Sequence, residues 1–345
     1  MKAVILTGIR QMELADVPEP SIKKDTDVLL KVEVVGVCGS DVHYYETGRI
    51  GEQQVVEYPF IVGHEFVGTV KAVGGAVTRV KVGDSVVVDP AIACHDCDQC
   101  REGRKNTCRT LKFLGCPGQI DGCLCEYIIM PDDCCFPIGD RITFAQGVLC
   151  EPLAIGLYSV KQADLPENAE IAILGAGPIG LSCLVSARAE DANACYVTEK
   201  VKERIRVAEN NGATWVGNPD KEDIVKEILK QQPAGVDVVF ECAGQQETID
   251  EAVELLKPGG KLMLIGIPRT ESVSFIVHQI RRREITVINV RRQNKCVQAC
   301  IDLIASGKIN VDFMITHKFK LEQTQDAFDM VGGYRDGVVK ALIEL

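Results

Sequence analysis

The sequence predicts an α/β protein of two domains, a β-rich domain followed by a doubly wound parallel sheet. Three observations carry this reading. Strand-like runs recur at short spacing through the first ~150 residues, separated by glycine turns. From about residue 170 onward, strand and helix patterns alternate. The alternating half opens on a glycine-rich turn between a strand and a helix. The length of 345 residues fits two domains of roughly 150 residues each.

In the first half, Val28–Val35, Phe66–Val70 and Ser85–Val88 are rich in branched residues, and Gly74-Gly75 and Gly83-Asp84 mark turns. Strands spaced in this way suggest a small barrel or sandwich. The character changes near Pro152. Strands are predicted at Glu170–Leu174, Ala194–Thr198, Val236–Phe240 and Lys261–Ile265. Helices are predicted at Ile179–Ala189, Val201–Asn211, Asp223–Gln232 and Glu247–Leu256. That rhythm gives a parallel sheet with helices on both faces. An amphipathic helix over Lys295–Ser306 and strands at Lys318–Lys320 and Val338–Ile343 follow. Return of these last strands to the first half makes that domain discontinuous. The boundaries expected are 1–150 with 290–345, and 151–289.

Lys and Arg number 38 against 49 Asp and Glu, a net charge of −11. That balance argues against nucleic acid or an anionic membrane as the main partner. No apolar run reaches the ~18 residues of a membrane span, and the Met1–Leu6 segment is too short in its apolar part for an export signal. Sixteen cysteines therefore read as metal ligands and reduced thiols of a cytoplasmic protein.

Gly175, Gly177 and Gly180 form G-x-G-x-x-G directly after a predicted strand, with Pro178 and Ile179 opening the helix. The first glycine makes a tight turn, the second admits a pyrophosphate to the backbone, and the third lets helix and sheet pack closely. Proline at the helix start lacks only an N–H that has no partner there. The next predicted strand ends at Glu199, 24 residues after Gly175. An acid there accepts hydrogen bonds from ribose hydroxyls and repels a 2′-phosphate, which favours NAD over NADP. Lys200 beside it works the other way.

Cys94, Cys97, Cys100 and Cys108 read C-x2-C-x2-C-x7-C. Four thiolates this close suit one closed, structural zinc shell. Ferredoxin-type iron–sulfur spacings differ in their later gaps, and plain thiols are the remaining alternative. A second set is dispersed: Cys38, His64 with Glu65, and Glu151. From pattern alone, a catalytic metal and a bland reading (a buried thiol, a core histidine, surface acids) stand level.

Taken together, Cys38-Gly39-Ser40-Asp41, Gly63-His64-Glu65, the four-cysteine segment and the glycine loop resemble the medium-chain, zinc-dependent alcohol dehydrogenases, in order along essentially the whole chain. Cys38 to Tyr44, Glu151-Pro152-Leu153, Val197 to Glu199 with Arg204, and Phe240 to Gly244 are similar to the sorbitol (L-iditol 2-) dehydrogenase branch. The resemblance implies a GroES-like β-barrel catalytic domain, a Rossmann NAD-binding domain and two zinc ions, one catalytic and one structural. It implies Cys38, His64 and Glu65 as catalytic-zinc ligands, with Glu151 at the zinc-bound water or substrate and the choice between the two acids open. Ser40 and His43 are implied as a proton relay with the nicotinamide ribose. Tyr44, Glu151 and Arg291 are implied to line the substrate pocket. Glu199, Arg204, Ile265, Gly266 and Ile267 are implied to join the glycine loop in holding NAD. Where sorbitol enzymes have Arg-Tyr, this chain has Arg291-Arg292. A second cation there pairs with an anionic substrate, faces solvent or lies across an oligomer interface, so polyols, sugar acids and sugar phosphates all stay open. The activity implied is hydride transfer from a secondary alcohol to NAD. L-threonine 3-dehydrogenase is an alternative, disfavoured by Ser40 and Glu151-Pro152, and a nucleotide-binding relative without activity is another. A homodimer or homotetramer is implied by the same likeness.

Overall fold

A computed structural model describes residues 1–52, 54–268 and 270–345. The chain divides into two compact units. One is Met1–Glu151 with Val297–Gly307 and Val311–Leu345; the other is Pro152–Cys296 with Lys308–Asn310.

The first unit is built on a seven-stranded sheet. Its central strand is Asp27–Gly36, flanked by Glu65–Val73 on one side and by the C-terminal Lys340–Glu344 on the other. Ser85–Val88 and Cys135–Pro137 extend one edge, Ile315–Lys320 extends the other, and Tyr127–Pro131 also pairs with the central strand. Val28, Leu30 and Val32 alternate inward along the central strand and pack with Phe66, Val70, Val86, Met130 and Ile343 in one buried cluster. Each such side chain contributes about 1.5–3 kcal/mol of burial. At the end of the central strand, Val34, Val35 and Gly36 are all buried, so both faces are covered there. Gly36 lies opposite Glu65 on one neighbour and opposite Leu342 on the other. The C-terminal strand is thereby placed beside the residues that follow Val35.

The second unit holds a six-stranded parallel sheet in the order Trp215–Gly217, Ala194–Thr198, Glu170–Leu174, Val236–Glu241, Leu256–Leu264, Thr286–Asn289. The chain starts in the middle, runs to one edge, then crosses to the other side. The order reverses between Glu170–Leu174 and Val236–Glu241, and ligand crevices form at the carboxyl ends of strands beside such a reversal. Helices Pro178–Ala189, Lys202–Asn210, Ile224–Gln231 and Gln246–Leu255 supply the crossovers. Residues 290–296 stay with this unit, and the amide of Val290 still donates to the Leu264 carbonyl at 2.9 Å. Among the described residues, no helix is long and apolar enough to cross a membrane.

Candidate active site and metal centres

The first cluster grows from the end of the central strand. Cys38 caps the helix Gly39–Thr47 without a side-chain cap bond. Ser40 Oγ donates to Cys38 Sγ at 3.3 Å. Gly63, with φ of 101°, turns the chain so that His64 immediately precedes the neighbouring strand and Glu65 starts it. Asp41, wholly buried, accepts from the Gly63 amide at 3.3 Å and lies 3.2 Å from His64 Nδ1. With Nδ1 so engaged, Nε2 is the nitrogen left for a metal. One donor atom each from Cys38, His64 and Glu65 lies within 4.8 Å of the others.

The surrounding charges indicate the kind of partner this cluster suits. Burial works against a charged His64, but Asp41 and Cys38 outweigh it and hold the imidazole well above its ordinary range. Burial pushes the Glu151 carboxyl up to about 7, with His64 pulling it down and Glu65 pushing it up. Glu151 Oε2 is buried without a hydrogen-bond partner. Thiolate, imidazole and carboxylate with an orphaned acid beside them match the three-ligand zinc site that keeps one position open. Lys340 Nζ meets both oxygens of Glu65, at 2.8 and 2.6 Å. Burial pulls that ammonium down, yet Glu65 and Cys38 raise it above the usual lysine value.

The helix Gly39–Thr47 also carries His43, half-buried, and Tyr44, buried. Tyr44 Oη donates to Gln54 Oε1 at 3.1 Å. The structure thus gathers Cys38, Ser40, His43, Tyr44, His64, Glu65 and Glu151 into the first unit. Arg291 and Arg292 belong to the second unit, after its edge strand Thr286–Asn289. Two residues here escape a reading of the sequence. Asp41 sits inside the Cys38 motif, where its spacing to Cys38 was the available signal; Lys340 has no local signal at all.

The second cluster is the loop from Cys94 to Cys108. Cys94 Sγ and Cys100 Sγ are 4.0 Å apart, and Cys97 Sγ and Cys108 Sγ 3.9 Å. A tetrahedron with 2.3 Å zinc–sulfur arms has edges of about 3.8 Å, so the thiols already stand at the separation that zinc requires. Backbone amides aim at them: Cys97 N donates to Cys94 Sγ at 3.4 Å and Cys94 N to Cys108 Sγ at 3.3 Å. The amides of Asp96 and Cys97 hold the Cys94 thiol down to about 6. Arg109 clamps Asp98 with two bonds of 2.6 and 2.7 Å.

The third cluster lies in the second unit. Gly175 adopts φ of 103°, and Gly177 caps the helix that Pro178 opens. A Cβ at Gly180 would overlap the Gly175 carbonyl oxygen. Gly180→Ala is therefore expected to cost about 1–3 kcal/mol of stability through overpacking. It should also weaken dinucleotide binding by roughly tenfold, the equivalent of ~1.4 kcal/mol. Thermal melts and an NADH titration check both effects. Glu199 accepts from the amides of Ala176 at 3.0 Å, Lys200 at 2.7 Å and Val201 at 2.9 Å, which ties the glycine turn to the end of the next strand. Lys200 Nζ pairs with Asp220 at 2.9 Å. Arg204 is buried, and its Nη1 would lie 3.8 Å from a Cβ at Gly177. Ile265 and Gly266 donate their amides to the Glu241 carbonyl at 3.0 Å each, and Ile267 is exposed. The Glu241 side chain accepts from the Ala243 and Gly244 amides at 2.9 and 2.7 Å. It was not singled out from the sequence, and it fixes the turn that packs against Gly266.

A parallel sheet with a dinucleotide turn, a closed four-thiol shell and an open thiolate–imidazole–carboxylate set define a zinc-dependent dehydrogenase. Comparison with known proteins agrees. Residues 24–140 match the family model described as alcohol dehydrogenase GroES-like domain, and residues 178–306 that described as zinc-binding dehydrogenase. Sorbitol dehydrogenase of Bacillus subtilis (strain 168) is 36% identical over 344 residues, covering 99% of this chain and 97% of the relative. L-idonate 5-dehydrogenase of Vitis vinifera is 32% identical over 334 residues, covering 95% and 90%. A solved structure from Sinorhizobium meliloti 1021, named as a zinc-binding dehydrogenase and bound to NADP, is 33% identical with a TM-score of 0.91 and covers 100% and 99%. The chain belongs to the zinc-dependent medium-chain alcohol dehydrogenase family.

Proposed function

We propose that this protein oxidises the secondary alcohol of a polyol or sugar-derived substrate with NAD as hydride acceptor. The observation that carries the reading is the donor set of half-buried Cys38 with buried His64 and Glu65, and the partnerless Glu151 oxygen beside it. Zinc held by that set supplies Lewis acidity, which lets an alcohol lose its proton near neutral pH. Glu151 is read as the acid that accepts from the reacting hydroxyl. Tyr44 offers its hydroxyl to a further substrate hydroxyl. Ser40 and His43, three residues apart, share one face of their helix, and the half-buried His43 imidazole, a group able both to accept and to donate a proton, suits the last step of proton release to solvent. Cys94, Cys97, Cys100 and Cys108 are read as the structural zinc shell.

The glycine loop, Glu199, Arg204 and residues 265–267 are read as the NAD site. The Lys200 ammonium is engaged by Asp220, so it gives little support to a 2′-phosphate, and Glu199 repels one. This supports NAD, whereas the S. meliloti relative carries NADP. The strand Thr286–Asn289 forms an edge of the parallel sheet, the kind of surface that a homodimer or homotetramer extends. Sixteen cysteines, none of them in a disulfide among the described residues, suit a reducing cytoplasm.

Initial rates with NAD and NADP on sorbitol, xylitol, galactitol, an aldonate, galactitol 1-phosphate, L-threonine and 2,3-butanediol test the reading, with zinc measured on the same preparation. Turnover on neutral polyols with NAD, unaffected by Arg292→Tyr, is expected at no less than about tenfold over L-threonine, a preference of ~1.4 kcal/mol. Turnover confined to an anionic substrate and lost in Arg292→Tyr would move the substrate class to sugar acids or phosphates. Turnover confined to L-threonine would overturn the polyol reading.

A further inference from the structure

We propose that Lys340 is a positioning residue of the metal site: by clamping both oxygens of Glu65 it fixes that acid as a weakened donor and keeps the metal electrophilic. The inference rests on Cys38, His64 and Glu65 being the zinc donors.

Among the described residues Lys340 is the only buried lysine, and both it and Glu65 are 1% exposed in their side chains. An ammonium has three protons to donate. Two go to Glu65 Oε1 and Oε2, and the third goes to the Val37 carbonyl at 3.1 Å, one residue before Cys38. No proton of Lys340 is spare, and Glu65 cannot swing without breaking two short bonds. Gly36 closes the slot from below, since a Cβ there would overlap the Glu65 carboxylate. Three adjacent strands therefore hold one carboxylate: its own strand, the glycine end of Asp27–Gly36, and the C-terminal strand carrying Lys340. Partners that accept a proton from a ligand raise its basicity and tighten metal binding. An ammonium donating to a carboxylate has the opposite sign, because it draws charge from the donor oxygens. A structural role alone makes a different prediction: loss of Lys340 would loosen the site and weaken zinc.

The sign of the change in zinc affinity decides between these roles. Zinc affinity of the open site is measured by chelator competition in wild type, Lys340→Met, Lys340→Arg, Glu65→Gln and the double variant Lys340→Met/Glu65→Gln. The absorption bands of the cobalt-substituted proteins are recorded alongside. Lys340→Met is expected to bind zinc roughly 10- to 100-fold more tightly, the scale on which partners of metal ligands act, and to shift the cobalt bands. Lys340→Arg should stay near wild type. Because Lys340 acts through Glu65, adding Lys340→Met to Glu65→Gln should change affinity by less than about threefold. Unchanged or weaker zinc binding in Lys340→Met, or the same change when Lys340→Met is added to Glu65→Gln, would overturn the proposal. If Lys340→Met alone does not fold, the double variant, which buries no unpaired charge, is compared with Glu65→Gln. Equal affinities there support the proposal and unequal ones overturn it. Wild-type protein whose cobalt bands arise from the four-cysteine loop alone would overturn the donor-set reading, and that result is visible before any variant is made.

Discussion

Cys38→Ala is expected to halve the zinc content and to lower turnover by about 10³-fold or more, while the protein stays folded and binds NADH as wild type does. Stabilising charge on the reacting oxygen is worth several kcal/mol to a metal-assisted step, and each ~1.4 kcal/mol is tenfold in rate. Cys38 suits this test better than His64. It is half-buried at a helix cap and makes no side-chain cap bond, so shortening it by one sulfur leaves the strand and helix intact. His64→Ala would also strip Asp41 of its ring partner, and an unsatisfied buried carboxylate adds a folding cost of about 1–3 kcal/mol or more. The glycine loop lies in the other unit, which is why cofactor affinity should be spared. Metal analysis with a full rate profile checks the prediction. Wild-type turnover in Cys38→Ala would remove the open site from the mechanism, and loss of both metals would mean that the two sites are not independent.

The second unit was legible from sequence because its signals are local. Glu170–Leu174 and Ala194–Thr198 are strands over the residues expected, and the helix after the glycine loop differs only by including Pro178. Each element carries its own period, and glycine, proline and acid mark the turns between them. In the first unit the strands Val28–Val35 and Phe66–Val70 were legible, yet their neighbours were not. Which strand lies beside which depends on contacts far apart in the chain, and Asp27–Gly36 alone pairs with strands starting at residues 65, 127 and 340. The helix Gly39–Thr47 has no clean apolar stripe, since its buried residues include Asp41 beside Val42, Tyr44 and Tyr45. That acid is inside because it serves His64, and no pattern of hydrophobicity reports such a purpose. Glu65 and Glu151 differ in ways visible only in three dimensions: Glu65 is held by a lysine 275 residues away, whereas Glu151 carries an unpartnered oxygen.

The same contrast between local sulfur and distant core predicts a separate failure when the four-cysteine loop loses its metal. Between Cys94 and Leu111 only Asn106 and Cys108 are buried. The segment contains one four-residue helix and one three-residue turn. Such a loop buries too little apolar surface to offset its ordering entropy, so a structural metal must supply the balance. Cys108→Ser is expected to remove one zinc per chain and to speed tryptic cleavage at the exposed Arg101, Arg104 and Arg109 by tenfold or more, about 1.4 kcal/mol or more of local opening. The open site keeps its metal, because Cys38, His64 and Glu65 come from other elements. The pH dependence has a definite sign. Metal binding needs thiolates, and the Cys94 thiol is held near 6. Burial pushes the Cys100 thiol the other way, up to about 12, so zinc must displace a proton there, and zinc in the loop should be held at neutral pH and lost progressively as acid competes for the thiolates. Limited proteolysis of wild type across pH 5–8, with and without chelator, reads both effects. A loop that stays resistant in Cys108→Ser would mean that its polar clamps, Arg109 to Asp98 foremost, hold it without metal.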